Sequence, residues 1–165
     1  MRAALRTATP DATAALGAAL APLLEPGDVV SLAGPLGAGK TRLVQGLAEG
    51  LGVAERVTSP TFVLARRHLG RLPLLHCDAY RLERTGDLAT LDDDVLAPEV
   101  VTCVEWGDAV AAALPASRLD VTLTPATDGD AATAVAPRAV VLEGHGPAWE
   151  RRWPAVLDAV AAVAA

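Results

Sequence analysis

The sequence predicts an α/β domain with a mainly parallel central sheet extended by antiparallel strands. Three observations carry that reading. Short apolar runs of strand length alternate with helical patterns along most of the 165 residues, the signature of a layered α/β chain. One such run leads through a glycine-rich segment straight into a helical pattern. Further strand-like runs come in pairs, one joined by a tight turn and one by a polar loop, as antiparallel neighbours are. With 52% hydrophobic and 21% charged residues, the chain suits one compact domain over 1–165 and is too apolar to be disordered throughout.

The elements follow in order. Ala3 to Thr7 reads as a short edge strand. Thr9-Pro10-Asp11 supplies an N-cap, a proline at the first helical position and a first-turn acid, so a helix runs from Pro10 to about Leu24. Pro26-Gly27-Asp28 is a turn, and Val29 to Ala33 is a buried parallel strand. After residues 34–41, Leu43, Val44, Leu47 and Leu51 mark a helix ending near Gly52. Phe62 to His68 and Leu72 to Cys77 form a hairpin about Gly70-Arg71. Val100 to Val104 is another buried strand, followed by a helix over Asp108 to Leu114, with Asp108 as its cap, and a stop at Pro115. Arg118 to Thr124 and Ala139 to Leu142 are strands joined by a passive connection over 125–137. Pro147 to Ala164 closes the chain as a helix with Trp149, Trp153, Val156, Leu157 and Val160 near its core-facing side. No internal repeat is present.

Composition narrows the function. Net charge is -6, so the chain as a whole repels a phosphate backbone, and contact with nucleic acid needs a local patch. No apolar run approaches the roughly 20 residues of a membrane span, and the N-terminus lacks the apolar core of a signal peptide; a cytoplasmic protein is expected. Cys77 and Cys103 fit no zinc or redox spacing and read as inert buried thiols. About one residue in five is alanine, and rare types stand out: one Lys (Lys40), one Phe (Phe62), one Tyr (Tyr80), and no Asn.

Residues 34–41, Gly-Pro-Leu-Gly-Ala-Gly-Lys-Thr, fit G-x-x-x-x-G-K-[ST] between a strand and a helix, the context that gives this pattern its meaning. Chance would produce it in such a composition on the order of once in a thousand chains. Gly34, Gly37 and Gly39 let consecutive backbone N–H groups face phosphate oxygens, and the following helix adds its N-terminal N–H groups and dipole. Lys40 can reach between the β- and γ-phosphates, and the Thr41 hydroxyl can ligate Mg²⁺. A chain that otherwise uses Arg keeps its one Lys here, where a forked guanidinium would not fit a narrow phosphate nest. The expectation is a P-loop NTPase-type three-layer fold binding a nucleoside triphosphate with Mg²⁺.

Hydrolysis also needs carboxylates near the metal and a group that orders water. Asp78 and Glu105 end strand-like runs, where open α/β sheets build their sites; both are candidate catalytic and metal-side acids, with Thr41 as the third metal contact and Lys40 as the catalytic cation. Asp92, Asp93 and Asp94 read as solvated. Thr58 to Phe62 offers three hydroxyls and could sense the γ-phosphate as a switch, or be an ordinary turn into a strand. The common guanine-reading Asn-Lys-x-Asp loop is impossible without Asn, so ATP is favoured over GTP. Trp106 is either a stacking surface near the nucleotide or simply buried. Candidate nucleotide contacts are Gly34, Leu36, Gly37, Ala38, Gly39, Lys40, Thr41 and Arg42, with Thr61 and Trp106.

Together GPLGAGKT (34–41), TSPTF (58–62), HCDAYRL (76–82) and VEWGD (104–108) resemble the TsaE family, small P-loop ATPases of bacterial tRNA threonylcarbamoyladenosine (t6A) synthesis. The resemblance covers about residues 29–108; the chain on either side matches only in pattern. It implies slow intrinsic ATPase activity, association with the TsaB–TsaD complex, tRNA reached only through that complex, and a monomer when free. It places Lys40 and Thr41 at phosphate and Mg²⁺, Thr58 to Phe62 as the switch-like segment, Asp78 and Glu105 at the metal and attacking water, and Trp106 close to the nucleotide. Pro35 departs from the polar residue usual there. A basic stretch, Arg66, Arg67, Arg71, Arg81 and Arg84, suggests a docking surface for an acidic partner or for tRNA in the assembled complex, against the alternative of a solvated face. Two other functions fit the loop: a small-molecule kinase, although no Arg-bearing lid is visible, and a non-hydrolysing ATP-dependent assembly switch.

Overall fold

The computed structural model describes residues 1–60, 65–80, 97–126 and 136–164. Its strands are β1 (Arg2–Thr7), β2 (Val29–Ala33), β3 (Ala65–His68), β4 (Leu74–Asp78), β5 (Val101–Glu105), β6 (Arg118–Pro125) and β7 (Arg138–His145). Its α-helices are α1 (Pro10–Leu20), α2 (Lys40–Gly50) and α3 (Pro147–Ala164). One seven-stranded sheet has the order β1-β7-β6-β2-β5-β4-β3. The central strands β6, β2, β5 and β4 run parallel, while β1, β7 and β3 join through antiparallel pairings. This is the mixed α/β sheet expected.

Strand periodicity sorts the residues onto two faces. Val30, Leu32, Val101, Cys103, Leu119, Val121, Val140 and Leu142 bury against Leu16 and Leu20 of α1, Leu43, Val44 and Leu47 of α2, and Trp149, Trp153, Val156 and Val160 of α3. On the other face Val29, Cys77 and Val104 pack with Val110 and Leu114. The segment Gly107–Ala113 that supplies Val110 is a 3-10 helix, so the sheet lies between two layers. Both cysteines are buried and free. Among the described residues no helix is long and apolar enough to cross a membrane.

Close contact between α1 and α2 depends on missing side chains. A Cβ on Gly46 would lie 1.8 Å from the Ala14 carbonyl oxygen, and one on Gly17 would lie 2.3 Å from that of Leu43. The helices can therefore pack backbone to backbone, which fixes α2 and the loop before it against the N-terminal helix. From the other end of the chain, Arg152 on α3 makes a bidentate pair with Asp28 at 2.5 and 2.9 Å and also donates to the Leu23 carbonyl.

Four local expectations need correction. Helix α1 ends at Leu20 and tightens into a 3-10 turn, Ala21–Leu23, because Pro22 has no N–H with which to continue the α-ladder. The helix expected over Asp108 to Leu114 is the 3-10 segment, kinked at Val110 (φ -119°), as suits a short stretch that must push Val110 into the core. Asp108 is not its cap: Trp106 holds that position, and Asp108 lies in the first turn. Leu157 is 46% exposed, because the buried stripe on α3 passes through positions 149, 153, 156 and 160 and leaves 157 beyond its edge. The predicted strand start at 62–64, Asp92 to Asp94 and most of the 125–137 connection fall outside the described residues.

Candidate functional site

The parallel strands β2, β5 and β4 end side by side: Leu32 pairs with Glu105, and Glu105 with Asp78. Directly after β2 the chain turns into residues 34–39 and enters α2 at Lys40. Gly34 adopts φ 137°, and a Cβ there would sit 2.1 Å from the Leu123 carbonyl of β6, so only glycine lets the loop leave the sheet at this point. Gly39, the residue preceding α2, has φ 103° and gives no side-chain cap. The first N–H groups of α2 thus have no side-chain acceptor, the arrangement that favours an anion.

Lys40 is only 4% exposed. Its Nζ donates to the carbonyls of Gly34 at 2.6 Å and Pro35 at 3.0 Å and lies 3.8 Å from the centroid of the Trp106 ring, a cation–π distance. Burial holds its ammonium below the ordinary lysine value, partly opposed by Glu105, Asp108 and Asp78. A lysine folded onto its own loop by carbonyl dipoles and an aromatic face is a cation close to the place where a phosphate would lie.

The carboxylates sit beside it. Glu105 Oε1 accepts from the Thr41 hydroxyl at 2.7 Å and faces His76 Nε2 at 2.8 Å. A carboxylate oxygen only accepts, so His76 Nε2 is the donor of this pair. Asp78 is buried, and its Oδ1 accepts from the Tyr80 backbone N–H at 3.0 Å. The Tyr80 ring lies 5.2 Å from that of Trp106, tilted by 46°. Trp106 itself has φ 61°, the only described non-glycine residue with positive φ. Such a conformation costs energy in a bulky residue and tends to persist where surrounding structure demands it.

These groups surround a cavity of about 650 Å³, large enough for a nucleotide-sized ligand. Leu36, Gly37, Ala38, Gly39, Lys40, Thr41 and Arg42 line it, as do Asp78, Glu105 and Trp106. Gly34 does not line it, but its carbonyl accepts from Lys40. The Arg42 guanidinium is turned to Asp11, Gln45 and the Pro10 carbonyl, which leaves its backbone rather than its charge for a ligand. Ser59 of the expected switch segment lines the same cavity; Thr61 and Phe62 lie outside the described residues. Among the described residues no cluster of three His, Cys, Asp or Glu could hold a metal alone. The Thr41 hydroxyl and the Glu105 carboxylate, 2.7 Å apart, are the oxygen donors that could share Mg²⁺, which keeps waters and completes its sphere with phosphate oxygens.

Sequence reasoning gave no role to two residues that the fold brings here. His76 contacts Glu105 as described, and its signal was present: it shares a face with Asp78 two residues on. Arg138 reaches the loop from β7, donating to the carbonyls of Gly37 and Ala38, and nothing local announces that contact. Of the basic stretch, Arg66, Arg67 and Arg71 are exposed, with Arg66 also donating to Thr58 and Arg71 to the Ala21 carbonyl; Arg81 and Arg84 lie outside the described residues.

Comparison with known proteins converges on one family. Residues 7–133 match the family model described as threonylcarbamoyl adenosine biosynthesis protein TsaE. A Streptomyces coelicolor protein named tRNA threonylcarbamoyladenosine biosynthesis protein TsaE is 49% identical over 138 residues, 81% of this chain and 91% of that protein. The Bacillus subtilis protein of the same name is 40% identical over 126 residues, 76% and 79% of the two chains. The crystal structure of Bacillus subtilis YdiB superposes with a TM-score of 0.76 at 31% identity, covering 98% of this chain and 95% of that one.

Proposed function

The chain belongs to the TsaE family of threonylcarbamoyladenosine biosynthesis proteins, and from that premise we propose that it binds and hydrolyses ATP with Mg²⁺ in support of tRNA t6A formation, acting with TsaB and TsaD. One observation carries the nucleotide part of this reading: Lys40, Thr41 and Glu105 converge on one cavity at the mouth of a glycine loop.

Each residue has a task in that reaction. Lys40 exchanges the carbonyls of Gly34 and Pro35 for phosphate oxygens, so the same short reach that now closes the loop places its charge between the β- and γ-phosphates. The amides of the loop and the start of α2 hold the remaining oxygens. Thr41 and Glu105 form the metal side of the site, since the Glu105 carboxylate already accepts from the Thr41 hydroxyl; Mg²⁺, when bound, neutralises phosphate charge and polarises the bond to be broken. His76 fixes the Glu105 rotamer by occupying the same oxygen. Asp78, one strand further from the loop, is assigned to the attacking water. Trp106 stacks on Lys40 and therefore belongs to the phosphate end of the ligand rather than to its base.

The test is ATP hydrolysis by the wild-type chain with and without TsaB–TsaD. Phosphate release stimulated by the complex supports the proposal. Transfer of the γ-phosphate to a metabolite would favour a kinase, and binding without any release would favour an assembly switch.

A further inference from the structure

We infer that Arg138 is a positioning residue that holds the phosphate loop in the shape that accepts a nucleotide. This rests on the reading of the loop as an ATP site, and it lies outside the span matched by the family model, which ends at residue 133. Arg138 is the first residue of β7 and is 7% exposed. Its Nε donates to the Ala38 carbonyl at 2.9 Å and its Nη2 to the Gly37 carbonyl at 3.0 Å. Its Nη1 donates to the carbonyls of Ala136 and Pro137. Among the described residues it has no carboxylate partner; the guanidinium is held by carbonyl oxygens alone.

Peptide planarity turns those contacts into a statement about the loop. In a trans peptide the C=O and the following N–H point in opposite directions. Holding the Gly37 carbonyl toward β7 turns the Ala38 N–H the other way, and it is found there, donating to the Pro35 carbonyl at 3.1 Å. Holding the Ala38 carbonyl likewise aims the Gly39 N–H away from β7; Gly39 stands between the large cavity and a smaller one lined by Arg138 and borders both. One planar fork therefore sets two consecutive peptide units in a stretch flanked by glycines at φ 77° and 103°, whose intrinsic freedom would otherwise have to be lost when ligand binds. Lysine has the charge but not the fork, so it cannot hold both carbonyls in that geometry.

Equilibrium binding of Mg-ATP and Mg-ADP, measured by calorimetry on the full chain, tests this with wild type, Lys40→Ala, Arg138→Lys and Arg138→Met, each checked for its fold by circular dichroism at the assay temperature. Both Arg138 variants should bind both nucleotides more weakly, at least fivefold for Arg138→Lys and more than tenfold for Arg138→Met. In turnover with TsaB–TsaD, KM for ATP should rise more than kcat falls, a split that a merely stabilising contact would not produce in folded protein. Should Arg138→Met not fold, Arg138→Lys decides by the same criterion. A folded Arg138 variant that binds ATP within twofold of wild type overturns the inference while leaving the ATP site intact. Failure of the wild type to bind ATP overturns both.

Discussion

Replacing Glu105 separates two consequences of one hydrogen-bonded oxygen. Its Oε1 takes the Thr41 hydroxyl at 2.7 Å and the His76 Nε2 at 2.8 Å, with His76 fully buried and Glu105 4% exposed. Glu105→Ala leaves both donors without their partner; Thr41 lines the cavity and can turn to water, but His76 is fully buried. One unsatisfied buried group costs about 1–3 kcal/mol. For a chain of this size each kcal/mol moves Tm by about 2–4 °C, so a fall of roughly 2–12 °C is expected in differential scanning calorimetry. Glu105→Gln is the functional probe, because its amide oxygen can accept the same two bonds. It should cost no more than about 1–2 kcal/mol, the difference between charge-assisted and neutral hydrogen bonds. Yet it removes the charge that the metal side requires, and partner-stimulated ATP hydrolysis should fall by about a hundredfold or more. An alanine variant melting within about 2 °C of wild type would refute the energetic reasoning. A glutamine variant turning over within about threefold of wild type would remove Glu105 from the chemistry.

Three other consequences can be measured directly. Burial holds the Lys40 ammonium below its usual 10.5, while bound phosphate favours the protonated form; the complex therefore carries more protons than the free protein, and ATP affinity should fall as pH rises through the free-protein value of Lys40, beneath 10.5. An affinity that stays flat across that alkaline range in calorimetric titrations would contradict the lysine's role. Gly46→Ala should lower Tm, because pushing the α1 backbone off α2 costs about 1–3 kcal/mol or more, exceeding the gain of about 1 kcal/mol in helix propensity; a variant more stable than wild type would disprove the close packing. Burial pushes the Cys77 thiol up to about 12 and also raises that of Cys103, so native protein at neutral pH should resist iodoacetamide, and rapid alkylation followed by mass spectrometry would show that either thiol is accessible.

The parts legible in the sequence are those whose physics is local. Glycine spacing before Lys40, the proline after Thr9 and the apolar runs ending at Asp78 and Glu105 each act within a few residues, and the fold follows them. Sheet register then does what sequence order does not express: it sets Glu105 between Leu32 and Asp78 and brings His76 within reach of Glu105. The His76 contact was recoverable from period-two patterning once two neighbouring strands were assumed. Arg138 was not, since its link to Gly37 and Ala38 spans 100 or more positions, and an arginine opening an edge-side strand reads as a surface charge. The same limit explains the segment after Glu105. Its composition suits an α-helix, but Trp106 in a left-handed conformation and the close approach of Gly107 to Ser31, where a Cβ would come within 2.1 Å of the hydroxyl, turn it into a tighter coil pressed against β2.

At the centre stands the Lys40 loop as a proposed ATP-hydrolysing site used together with TsaB–TsaD. Steady-state phosphate release from ATP by wild type and Lys40→Ala, each alone and mixed with TsaB–TsaD, tests it most directly. Slow release by the wild type, a clear rise on adding the complex, and neither in the variant are expected. Full stimulated hydrolysis by Lys40→Ala, or a wild type that releases no phosphate even with the complex present, would contradict it.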